Sequence, residues 1–70
     1  MLTAQEVQSL KTWAIFYPKI EFCVNSKNLE MANHYVVMLR GMIWGLEDTK
    51  LIDSKTATVL EQSLDSVIFA

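Results

Sequence analysis

LEMANHYVVMLRGMIWGL, residues 29–46, is the stretch whose pattern decides the fold. Leu29, Ala32, Val36, Leu39, Ile43 and Leu46 recur in steps of three and four, the period of an amphipathic helix. Met31, Tyr35, Met38 and Met42 form a second seam, about 110° further round the same helix at roughly 100° per residue. A helix apolar over so much of its circumference has to be wrapped by other elements. Only two shorter helical segments remain in the chain to do so. The pattern therefore predicts an all-α, three-helix protomer assembled as a homodimeric helical bundle, the two seams serving as core and dimer interface.

Working outward from this central helix, Asn25, Ser26 and Asn28 are all good N-cap residues, and the pattern runs on to Asp48, which sets the helix at about 27–48. It breaks around Lys50-Leu51-Ile52. Asp53 or Ser54 then caps a third helix over 54–68, with Ile52 placed to pack on Ala57 as a hydrophobic staple. Ala57, Leu60, Leu64 and Val67 form the seam of that helix.

On the N-terminal side, Thr3-Ala4-Gln5-Glu6 reads as a capping box. The first helix is expected over 4–16 with a seam of Val7, Leu10, Ala14 and Tyr17. Pro18 cannot extend the hydrogen-bond ladder and should end it. Ile20, Phe22 and Val24 alternate with Glu21 and Cys23, a strand period with no partner strand in the chain, so residues 19–25 are expected to form an apolar connector tucked against the core.

Composition supports one small domain spanning 1–70. At 70 residues and 51% hydrophobic, the chain is too apolar for disorder and near the size where a lone core is marginal, and oligomerisation is one common remedy. The net charge is −2 and no two basic residues are adjacent, so the clustered Lys and Arg that neutralise phosphates are missing and nucleic acid is not an expected partner. Cys23 is alone, which rules out an intrachain disulfide framework. Arg40, Glu47 and Asp48 interrupt the most apolar helix, and no signal-peptide pattern opens the chain, so a soluble cytoplasmic protein is expected.

Chemistry-bearing residues are sparse. His34 follows Glu30 by one turn, a pair that could supply two metal ligands, but no further ligand spacing accompanies it. A nucleophilic cysteine needs a base or a positive environment to form thiolate, and with Ile20, Phe22 and Val24 around it Cys23 is expected to be an inert, mostly buried thiol. One histidine and no glycine-rich turn leave no triad or phosphate cradle. Neither enzyme activity, a metal nor a cofactor is expected.

Gly41 and Gly45 lie one turn apart inside the central helix, where each costs about 1 kcal/mol relative to alanine. Paired small residues point to close crossing by another helix. On the more polar side lie Val37, Arg40 and Trp44, and Trp with Arg on one face is typical of binding hot spots. Cover by a neighbouring helix, with Arg40 bridging to an acid, is the competing expectation. The leading functional expectation is a non-enzymatic, regulatory interaction protein acting as a homodimer on another protein, a build common among short accessory proteins of bacteria and their phages. The alternative is a DNA-binding transcriptional regulator whose helix-turn-helix is formed by the second and third helices. Glu61 and Asp65 on the would-be recognition helix weigh against it.

Overall fold

A computed structural model describes residues 1–69. Four helices follow one another: α1 (Ala4–Gln8), α2 (Lys11–Asn25), α3 (Leu29–Asp48) and α4 (Ser54–Ile68). The described residues hold no strand. The capping box forms as the sequence predicts, with the Thr3 N–H donating to Glu6 Oε1 at 2.9 Å and the Glu6 N–H donating to Thr3 Oγ1 at 3.1 Å. Asn28 caps α3 by accepting from the Met31 N–H, and Asp53 caps α4 by accepting from Thr56 at 2.7 Å. Ile52 and Ala57 are both buried in the core, as the staple requires.

The N-terminal third departs from expectation. The predicted helix over 4–16 is broken at Ser9–Leu10, where Leu10 turns extended, and a new helix runs unbroken through Pro18 to Asn25. Pro18 removes one donor from the ladder, but its ring lies on the exposed side of α2, so the carbonyl it leaves unpaired can be solvated. Residues 19–25 are accordingly helix, not connector. Ile20 and Val24, which in a strand would share a face with Phe22, instead lie one turn apart with Trp13 and Tyr17 on the core side. Phe22 falls on the opposite side and is 71% exposed. The break at Ser9–Leu10 lets Val7 and Trp13 both reach the core, whereas Leu10 and Ala14 of the predicted seam are exposed.

The α2–α3 and α3–α4 turns share one device. Lys27 sits at φ 60° and Lys50 at φ 62°, each just past a helix end. The Lys27 N–H donates to the Val24 carbonyl at 3.0 Å and the Asn28 N–H to the Cys23 carbonyl at 2.8 Å. After α3 the pattern repeats, Lys50 to Glu47 and Leu51 to Leu46. These are Schellman caps with lysine where glycine is usual.

The turns fold α2, α3 and α4 into consecutive antiparallel pairs. Phe16 meets Tyr35 across α2 and α3 with ring centroids 5.5 Å apart, and Trp13 stacks on Tyr17. The N-terminus is pinned to the α3–α4 turn by the Leu2 N–H donating to the Leu51 carbonyl at 2.8 Å. The core gathers Val36, Leu39 and Ile43 of α3 with Ile20, Leu60 and Leu64. The first seam of α3 is thus buried at its centre, with Leu46 half-buried and Leu29, at the start of the helix, 59% exposed.

Candidate interaction surface

The second seam of α3 faces away from α4. Tyr35 and Met42 are half-buried along the α2–α3 groove, while Met31 and Met38 are exposed. Ile15 and Phe22 of α2 are exposed as well and lie on the outer side of that helix. At the hairpin end, Pro18, Lys19, Phe22, Cys23, Asn28, Met31 and Tyr35 line an open depression. The outer side of the α2–α3 hairpin therefore carries four exposed apolar side chains, Ile15, Phe22, Met31 and Met38, set among the exposed Lys11, Thr12, Lys19 and His34. Exposed apolar residues scattered singly are ordinary, whereas a group of them on one side marks a candidate interaction surface.

Gly41 and Gly45 belong to the same side. Both are exposed, and a Cβ built on either would meet nothing within 4 Å. The close helix crossing that their spacing suggests is thus not made within the chain.

The opposite side of α3 carries Val37, Arg40 and Trp44. Arg40 Nη2 pairs with Asp65 Oδ1 at 2.7 Å, and the Trp44 indole N–H donates to Glu61 Oε1 at 2.8 Å. Arg40 bridges to an acid of α4, one of the two expectations for it. Trp44 keeps 55% of its surface exposed despite the hydrogen bond, and Val37 stands beside it unburied. The sequence did not reveal that Glu61 and Asp65 would be the partners, although Arg40/Trp44 and Glu61/Asp65 have the same four-residue spacing.

Few groups show altered acidity. The Thr3 backbone N–H, then its hydroxyl, hold the Glu6 carboxyl below its usual range, and the Thr56 backbone and hydroxyl do the same for Asp53. Burial raises the Tyr17 phenol, helped by Glu21. All three shifts arise from caps and packing rather than a cleft. Glu30 and His34 are both exposed, and among the described residues no three His, Cys, Asp or Glu side chains converge to hold a metal. Cys23 is a half-buried free thiol. No helix among the described residues is long and apolar enough to cross a membrane. Comparison with known proteins finds no matching family model, curated protein or solved structure.

Proposed function

We propose that this protein is a non-enzymatic, cytoplasmic interaction protein that works as a homodimer, pairing through the outer side of the α2–α3 hairpin. The observation that carries the reading is the group of exposed apolar side chains Ile15, Phe22, Met31 and Met38. Size supports it. A 20-residue helix is about 30 Å long and a helix pair roughly 20 Å wide, so two such sides bury on the order of 1,200 Å², the lower end of stable interfaces. A second copy brings an equally apolar surface of matching length.

Pairing there leaves Val37, Arg40 and Trp44 displayed on the far side of α3, where they form the surface for a regulated protein partner. The salt bridge and the indole hydrogen bond hold Arg40 and Trp44 in place before binding, which lowers the ordering cost of recognition. The helix-turn-helix alternative draws no support from this geometry. Arg40–Asp65 and Trp44–Glu61 keep α3 and α4 side by side and antiparallel, whereas that motif crosses its helices steeply.

Light scattering after size exclusion tests the dimer. The expected mass is about twice the 8.0 kDa of the chain at micromolar concentration. A monodisperse species of chain mass would overturn the reading.

A further inference from the structure

We infer that the α3–α4 side docks a basic amphipathic helix of the partner protein. Apolar residues of that helix lie on Val37 and Trp44, and its Lys or Arg side chains meet the Trp44 ring and the bordering carboxylates. The inference rests on the reading above of Val37, Arg40 and Trp44 as the partner surface, and adds the chemistry of what binds there.

The apolar anchors set the length of the contact. Val37 and Trp44 are 59% and 55% exposed. They lie seven residues apart, two turns of α3 or about 10 Å, and so share one line along the helix. Glu30, seven residues before Val37, and Asp48, four after Trp44, extend that line, so the apolar strip has a carboxylate at each end. A helix laid along it meets both anchors with apolar residues at i and i+7.

Charge then selects the partner. Glu61 and Asp65, one turn apart on α4, are brought beside the strip by their hydrogen bonds with Trp44 and Arg40. Four of the eight acidic residues thus border it, against one base, Arg40, whose charge is already met by Asp65. The other bases lie elsewhere: Lys11 and Lys19 on α2, Lys27 and Lys50 in the two turns, and Lys55 about 120° round α4 from Glu61. The outer side of the α2–α3 hairpin instead sets its apolar side chains among Lys11 and Lys19. A cationic helix is therefore attracted to the α3–α4 side and repelled by the other.

The acids are held ready to accept. Glu61 receives the indole N–H through Oε1, and Asp65 receives Arg40 through Oδ1. Among the described residues, neither Glu61 Oε2 nor Asp65 Oδ2 accepts a hydrogen bond. Each carboxylate is anchored through one oxygen and open at the other, which lowers the ordering cost of binding a cation. The indole, fixed through its N–H, offers a ring for the cation–π contact that Lys and Arg make best with tryptophan.

Two helical peptides of about four turns (~14 residues) test the chemistry, one of leucine and lysine and one of leucine and glutamate. Neither contains tryptophan and Trp13 is buried, so a blue shift of emission reports the covering of Trp44. The lysine peptide should produce that shift and the glutamate peptide should not. In anisotropy titrations of the labelled lysine peptide, Trp44→Ala should weaken binding about 10-fold. Glu61→Gln, which keeps an acceptor for the indole, should weaken it roughly 2- to 5-fold. Glu21→Gln removes the same charge from an exposed position on α2 and should leave affinity unchanged. A Glu61→Gln effect no larger than that of Glu21→Gln overturns the inference, as does a glutamate peptide that covers Trp44 as well as the lysine peptide does. Either result leaves the partner surface standing. If neither peptide moves the Trp44 emission, the inference and the partner-surface reading both fall.

Discussion

Leu29 and Leu39 are members of one sequence seam, yet their truncation should have very different consequences. Leu39 is fully buried at the centre of the core, and Leu39→Ala removes its packing and leaves a cavity, a change that costs about 2–5 kcal/mol. A chain of this length is stable by about 4–10 kcal/mol in total, so the loss is a large fraction of what holds it folded. With an unfolding entropy near 2 cal/mol/K per residue, a 3 kcal/mol loss lowers Tm by about 20 °C. Leu29 is 59% exposed, so Leu29→Ala gives up little burial, opens no cavity and should cost about 0.5 kcal/mol. It also lies off the proposed dimer surface, which keeps the comparison independent of association. Thermal melts followed by circular dichroism, with urea titrations for the free energies, read both variants. Equal destabilisation by the two would refute the burial assignment, because it would mean that Leu29 is covered or that Leu39 is not.

Pro18→Ala restores the missing ladder donor in mid-helix and should raise stability by about 1–3 kcal/mol; a lower Tm would show that the ring itself supports α2. Lys50→Gly relieves a left-handed lysine at the α3 cap and should stabilise by about 0.5–1 kcal/mol in urea titration, Lys27→Gly doing the same after α2. Glu6 and Asp53 titrate below their ordinary values of 4.5 and 3.8 in the folded chain, so their stabilisation is present above those values and is lost as pH falls through the lowered ones. Melts from pH 6 to pH 2 should therefore show an acid loss of stability that Asp53→Asn, which keeps a capping oxygen without the charge, makes shallower; an unchanged profile would count against the charged cap.

Local chemistry alone determined much of this protein. A side-chain oxygen at Thr3 or Asp53 satisfies a helix N-terminus through atoms only three residues away, so those starts were legible, as was the span of α4. Asn25, Ser26 and Asn28, by contrast, competed for the start of α3, and the helix begins at Leu29, two residues later than the predicted 27. The three-and-four spacing of Ala32, Val36, Leu39 and Ile43 likewise named the core side of α3, because a helix has one period whatever surrounds it. Tertiary structure decided what depends on neighbours. Pro18 looked like a stop, since a proline weakens a helix by propensity, but burial of Trp13 and Ile20 on the far side carries α2 through it. The break at Ser9–Leu10 has no glycine or proline to announce it and follows from Val7 and Trp13 sharing one core. The sequence also could not say which acids hold Arg40 and Trp44, because their partners are 25 and 17 residues away and are brought opposite only when α4 folds back on α3. Nor could it say which of two apolar seams the chain covers. Both carry the same local signal, and only the packing of α2 and α4 buries the first while splitting the second, Tyr35 and Met42 going into the α2–α3 groove and Met31 and Met38 staying exposed.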